Sequence, residues 1–353
     1  MDLTTRDIKP NATFFTVQDP NLEWPKHRGS DYWEYRRKWS EYPQKMHTSN
    51  FPIHLDIETT NVCNLLCPHC PRTIQINEGR YVDIGTMSLE MYKKIIDEGE
   101  KEGLCSVKLN YLGEPLLDKY ILERIKYSKD HGIIEVMINT NAMTLDEKMS
   151  HKILEAGIDS VYFSVDSINA DNFNKIRVGA DYKVVVDNIK KFIKIKNEGK
   201  YKHVQTRTSM VVMPQNKNEV DAYVKFWKPI VGIVGLGEWI EYTSSHGKYE
   251  QYNPDFVCAQ PFQRMFILWD GVCTPCCVDD GRGYILGDIK KNTVKEIWHG
   301  EAFTKMREAH IGGHYNDISI CARCYLPYAQ ENATDVGFSG QVQKSKLSEL
   351  IQK

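Results

Sequence analysis

The chain has 353 residues, 41% hydrophobic and 26% charged, with a formal net charge of −2. That length suits one large domain with a smaller appendage, the balance can bury a sizeable core, and the near-neutral charge gives no pull toward nucleic acid or membrane. No apolar run approaches the ~20 residues of a membrane span, and Met1-Asp2-Leu3-Thr4-Thr5-Arg6 lacks the apolar stretch of a secretion signal, so a cytoplasmic location is expected.

Residues 1–50 are polar and aromatic, with Trp24, Trp33, Tyr35, Trp39 and Tyr42 among charges. A helix over 31–42 fits the pattern, and the segment reads as an arm packed on the main domain. From 51 to about 250, strand and helix signals alternate. Strands are predicted over 52–58, 106–112, 134–140, 160–166, 205–213 and 233–242, where Val, Ile, Leu, Tyr and Phe concentrate. Helices are predicted over 88–102, 118–131, 145–156, 181–198 and 217–228, from apolar spacings of three and four. Gly103, Gly132, Gly157 and Gly199 follow the first four as C-caps. Such alternation predicts βαβ units on a parallel sheet. Six units are fewer than the eight of a closed barrel, so the expected fold is α/β, a partial (β/α)6 TIM-like barrel. Over 251–328 segments shorten and cysteines cluster, which marks a small C-terminal domain. Residues 329–353 read as a polar tail with a short helix near 344–352.

Nine of the ten cysteines are grouped: Cys63, Cys67 and Cys70, then Cys258, Cys273, Cys276, Cys277, Cys321 and Cys324, with Cys105 alone. In a long chain without a secretion signal, grouped cysteines read as metal ligands. The first group has the spacing Cys-x3-Cys-x2-Cys and follows directly on the first strand. Three thiolates on one loop suit a [4Fe–4S] cluster with one iron open. Zinc is the alternative, but it usually takes four ligands and only His69 is at hand.

Here the sequence resembles the radical S-adenosylmethionine (SAM) superfamily. The resemblance implies that Cys63, Cys67 and Cys70 ligate three irons while the fourth binds SAM, whose reductive cleavage gives a hydrogen-abstracting 5′-deoxyadenosyl radical. It implies a flavodoxin- or ferredoxin-type reductant. Leu112-Gly113-Glu114-Pro115 resembles the family's Gly-Gly-Glu motif, in which Gly113 and Glu114 receive the SAM amino group. Asn139-Thr140-Asn141-Ala142 resembles a Thr-Asn-Gly segment, and Ser164-Val165-Asp166-Ser167 the segment that meets SAM ribose or carboxylate. Arg177 resembles an arginine that pairs with the SAM carboxylate, and His69 holds a place near adenine.

Twelve residues separate Cys258 from Gly271, Gly271-x4-Cys276 follows, and Cys321-x2-Cys324 lies further on. With the runs 270–279, 286–289 and 296–298, this resembles the C-terminal extension called SPASM, or its shorter twitch form. No cysteine follows Cys324, so one auxiliary [4Fe–4S] cluster is expected on Cys258, Cys276, Cys321 and Cys324. Cys273 and Cys277 are spare, although either is open as the ligand in place of Cys276; zinc is again the alternative.

Strand residues alternate faces. Leu55 and Ile57 leave His54, Asp56 and Glu58 on the other face of strand one; Lys108 and Asn110, Tyr162, Ser164 and Asp166, and Gln205, Arg207 and Ser209 do the same on strands two, four and five. Facing inward, they make a polar lumen for a small polar substrate, with Lys108 and Tyr162 as catalytic candidates. Similarity to the aminocyclitol dehydrogenases implies oxidation of a sugar or aminocyclitol alcohol. Epimerisation or dehydration with a cysteine hydrogen donor (Cys273 or Cys277), and modification of a peptide, are the competing readings.

Overall fold

The computed structural model describes residues 7–9, 14–80, 83–239, 255–279, 282–324 and 326–327. The chain opens with two strands, β1 (Asp7–Lys9) and β2 (Phe14–Gln18), and helix α1 (Ser30–Gln44). A regular alternation follows: β3 (His54–Ile57), α2 (Pro71–Asn77), α3 (Leu89–Glu102), β4 (Ser106–Lys108), α4 (Ile121–Asp130), β5 (Glu135–Thr140), α5 (Glu147–Glu155) and β6 (Ser160–Ser164). It continues through α6 (Ala170–Ile176), α7 (Tyr182–Glu198), β7 (Gln205–Val212), α8 (Val220–Val231) and β8 (Ile233–Glu238). Strands β3 to β8 lie side by side in chain order, all parallel, as the partial barrel requires.

Period-two alternation builds this sheet. Leu55, Ile57, Val107, Val136, Ile138, Val161 and Phe163 pack outward into one core with the apolar stripes of the helices, among them Ile95 and Ile96 on α3, Ile189 and Phe192 on α7 and Trp227 on α8. Side-chain caps start the helices: Ser88, Asp146 and Asp181 accept from the backbone of Met91, Met149 and Val184. Gly103 ends α3 in the left-handed region, at φ 85°. Gly199 ends α7 differently, with extended backbone.

The first fifty residues are more than an arm. β2 pairs antiparallel with β8 and forms one edge of the main sheet, and β1 pairs with β9 (Phe256–Cys258). Helix α1 closes the N-terminal end of the barrel. The Tyr35 hydroxyl lies 3.0 Å from Ser106 Oγ, the Trp39 ring meets His54 at 5.5 Å, and Arg28 reaches Asp159 at 3.2 Å and Glu135 at 3.7 Å.

At the other edge, β10 (Arg264–Ile267) pairs parallel with β3, and β11 (Val272–Thr274) and β12 (Gly287–Asp288) extend the sheet antiparallel. Among the described residues, ten strands thus run β12-β11-β10-β3-β4-β5-β6-β7-β8-β2. Helices α9 (Val294–Trp298) and α10 (Glu301–Gly312) complete the C-terminal part. A capping box of Thr293 and Glu296 opens α9, and buried Trp298 donates its Nε1–H to Ser49 O at 2.8 Å. The expected helix near 344–352 lies outside the described residues, as do residues 240–242 of the last predicted strand.

Candidate active site

Strand β3 leads straight into the first cysteine loop. Glu58, Thr59, Thr60 and Asn61 are buried, and the loop from Cys63 ends at Cys70, where Pro71 starts α2. The backbone N–H groups of Arg72 and Thr73 face the Cys70 sulfur. Leu66 N bonds Val178 O at 2.9 Å, so the segment after α6 straps the loop from outside. Burial raises all three thiols, Cys67 to about 12, and Cys67 feels both Cys63 and Cys70. Among the described residues, no three His, Cys, Asp or Glu side chains converge on the position of a single ion. Three thiols on one loop, with Cys67 facing both others, would hold an iron–sulfur cluster, whose charge would keep them deprotonated.

Gly113 and Glu114 lock the next loop onto this one. A Cβ on Gly113 would lie 2.0 Å from Thr60 O, so glycine alone permits the approach. Glu114 N bonds Val62 O at 2.8 Å. The Glu114 carboxylate accepts from Leu116 N at 3.1 Å, Thr140 Oγ1 at 2.7 Å and Asn141 N at 2.7 Å. Three donors from the chain occupy it, so Glu114 joins the loops after β4 and β5, a positioning task beyond the expected SAM contact. Ala142 takes the place of the motif's glycine with φ 60°. Asn139 receives no hydrogen bond on its buried Oδ1, an acceptor open to a ligand donor.

Beyond β6, Asp166 is fully buried. Its Oδ1 accepts from Val211 N at 2.8 Å, and its Oδ2 takes Nε and Nη2 of Arg177, both at 2.7 Å, with His69 Nε2 at 3.5 Å. Arg177 therefore stands beside Cys67 and Cys70 with its charge tied to Asp166. Ser164 is half-buried at the end of β6, opposite Ser209.

Five of the six later cysteines gather. Cys258, Cys276, Cys277, Cys321 and Cys324 surround a small core of Phe256, Val278, Tyr315 and Leu326. Burial raises Cys258 to about 11, with Arg264 opposing, and raises Cys276 and Cys321 well above the ordinary thiol value. Cys273 does not join them. It sits on β11, fully buried in the main core, with Sγ 3.7 Å from Gly271 O. It thus stands in the main core, apart from the other five. Cys277 lies on the barrel side, where its carbonyl accepts from the Tyr111 hydroxyl at 3.2 Å and its sulfur meets Gln260 Nε2 at 4.0 Å.

Between the two cysteine groups the inner strand faces carry polar side chains. Asp56 pairs with Lys108 at 2.5 Å and Arg264 at 3.3 Å, and His54 stands 3.4 Å away. Burial works to raise Asp56, but Lys108, His54 and Arg264 together hold it well below the usual carboxylate range. The Arg207 guanidinium lies 3.9 Å from the Tyr162 ring centroid and its Nε donates to Ser209 Oγ. Glu58 accepts from Leu112 N at 3.1 Å and Trp269 N at 3.4 Å, and burial pushes it up to about 7. Sequence reasoning placed Glu58 on this face without assigning it a role; Arg264, its first inward residue on β10, was missed because nothing in sequence ties β10 to β3.

The model of the radical SAM superfamily matches residues 57–226, and that of an iron–sulfur cluster-binding domain, SPASM, matches residues 258–325. The chain belongs to the radical SAM superfamily. A probable GTP 3′,8-cyclase of Methanocaldococcus jannaschii is 30% identical over 187 residues, 53% of this chain and 58% of that protein. The chain thus spans little more than half the length of these cyclases. The tungsten-containing aldehyde ferredoxin oxidoreductase cofactor-modifying protein of Pyrococcus furiosus is 26% identical over 72% of this chain and 83% of its own length. Two solved structures share the fold. BtrN in complex with AdoMet and 2-DOIA has 18% identity, a TM-score of 0.54, and coverage of 78% of this chain and 94% of its own. Native anSMEcpe with bound AdoMet has 16% identity, a TM-score of 0.57, and coverage of 80% and 99%.

As a radical SAM enzyme with this C-terminal domain, the protein uses a SAM-binding [4Fe–4S] cluster, an auxiliary cluster and SAM. The two groups of thiols would provide donor sets for both clusters. No helix among the described residues is long and apolar enough to cross a membrane.

Proposed function

We propose that this radical SAM enzyme oxidises an alcohol carbon of a small polar substrate, a sugar or aminocyclitol, inside the barrel. One observation carries the reading: polar side chains on the inner strand faces are cross-bonded, buried Asp56 with half-buried Lys108 and Arg264, and half-buried Tyr162 with Arg207. An apolar substrate would strip water from the open edges of these charged groups and offer no hydrogen bond in return. In this reading Cys63, Cys67 and Cys70 hold the SAM-binding cluster in a barrel domain over 51–250. Cys258, Cys276, Cys321 and Cys324 hold the auxiliary cluster in a domain over 251–328. Gly113, Asn139, Ser164, Asp166, Arg177 and His69 line the SAM side.

When bound, the cofactors supply a hydrogen-abstracting radical at one end and an electron acceptor at the other, with a flavodoxin- or ferredoxin-type protein delivering the first electron. The chain supplies position and proton transfer. Lys108 and Arg207 hold substrate hydroxyls, Tyr162 fixes Arg207, and Glu58 takes the hydroxyl proton from a site poised near neutrality. The enzyme is cytoplasmic in this reading, with no nucleic-acid or membrane partner.

The test is anaerobic turnover of carbon-deuterated polyols and aminocyclitols with SAM and dithionite. Deuterium in 5′-deoxyadenosine together with a two-electron-oxidised product supports the proposal. Product carrying solvent deuterium at an inverted carbon would replace oxidation by epimerisation, with Cys277 the donor because Cys273 is sealed in the core. No deuterium transfer from any of these substrates overturns it.

A further inference from the structure

Helix α10 carries one histidine, His310, at 1% exposure. Its ring stacks on Tyr315 with centroids 5.3 Å apart and meets Phe256 edge-on at 6.2 Å. Its two nitrogens touch two cysteines of the second group: Nδ1 lies 3.3 Å from the backbone N of Cys258, and Nε2 lies 3.6 Å from Sγ of Cys321.

These contacts fix the tautomer. A backbone N–H only donates, so Nδ1 is the acceptor and carries no proton. A neutral imidazole has one N–H, which is then on Nε2 and points at the Cys321 sulfur. A ring without a proton on Nδ1 is neutral, and Phe256 and Tyr315 enclose it. With a proton on Nε2 and a hydrogen bond on Nδ1, neither nitrogen has a lone pair for a metal. His310 is therefore a neighbour of the cluster and not a fifth ligand.

We infer that His310 is a positioning residue of the auxiliary cluster, donating its Nε2–H to the Cys321 thiolate while it holds the Cys258 amide, and so raising the cluster's reduction potential. The inference rests on Cys258 and Cys321 as ligands. A hydrogen bond to a ligand sulfur draws charge from the cluster and favours its reduced, more negative state. The same ring joins β9 to the segment that carries Cys321, two ligand-bearing pieces more than sixty residues apart in sequence.

The test is EPR-monitored potentiometry of the anaerobically reconstituted full chain, comparing wild type with His310→Phe, which keeps bulk and removes both hydrogen bonds. The auxiliary cluster should become at least tenfold harder to reduce, about 59 mV for one electron, with the SAM-binding cluster unmoved. An unchanged auxiliary potential, or an equal fall in both clusters, overturns the inference. Because His310→Phe tests a buried position, a second measurement uses the unaltered protein labelled with 15N-histidine. Pulsed EPR of the reduced auxiliary cluster should show one weakly coupled histidine nitrogen; no coupling, or the strong coupling of a direct ligand, overturns it. Loss of about four irons in Cys258→Ala or Cys321→Ala tests the ligand reading separately.

Discussion

Arg177 closes on Asp166 through Nε and Nη2, each 2.7 Å from the same carboxylate oxygen. The pair lies against Cys67 and Cys70, so a residue expected to meet SAM directly is also clamped by the barrel wall. Asp166→Asn should leave iron content unchanged and lower the rate of 5′-deoxyadenosine formation by tenfold or more. Removing one partner of a buried ion pair costs about 3–5 kcal/mol, so the melting temperature should fall too. Anaerobic turnover and thermal denaturation read the two effects.

Gly113→Ala should loosen the first cluster. Its Cβ would stand 2.0 Å from a backbone oxygen, which cannot swing away as a side chain can. Iron per chain should drop from about eight toward about four, with loss of SAM cleavage. Gly29→Ala, where a Cβ meets nothing within 4 Å, is the control and should behave as wild type.

The second cysteine group makes a sharper prediction. Cys258→Ala, Cys276→Ala, Cys321→Ala and Cys324→Ala should each reduce iron to about four per chain, and Cys273→Ala and Cys277→Ala should keep about eight. Iron and sulfide analysis decides each variant. A loss of iron in Cys277→Ala with retention in Cys276→Ala would exchange the two.

Glu58 sets a pH dependence. Its value in the folded chain, about 7, lies above the ordinary 4.5. Between those values the native state binds the proton more tightly than the unfolded chain, so stability falls as pH rises through that window. The loss amounts to about 3 kcal/mol at most. Glu58→Gln should flatten the decline in melting temperature between about pH 4.5 and 7 relative to wild type.

The inner and outer faces of the barrel were legible because strand side chains alternate. Once Leu55 and Ile57 are outward, His54, Asp56 and Glu58 have one place to go. The pairing of β2 with β8 was not legible, since the partners are some two hundred residues apart and β2 is only five residues long. Cys273, Cys276 and Cys277 looked interchangeable as letters. Strand β11 separates them, because Cys273 pairs with Ile267 inside the sheet and the chain turns before Cys276. His310 gave no signal at all: its partners are a backbone amide and a sulfur brought to it by packing alone.

Strand β3 is shared property. It feeds the first cysteine loop at its end, and along its flank it is laddered residue for residue to β10, from Arg264 opposite His54 to Ile267 opposite Ile57. One register therefore ties the strand that ends at the first cysteine loop to the strand that lies between Cys258 and Cys276. A slip of β10 along β3 must come in whole residue steps of about 3.3 Å, and a step of one residue turns its side chains to the opposite face. The strand that leads into the barrel's cysteine loop and the strand that leads out of the C-terminal part are thus neighbours in one sheet.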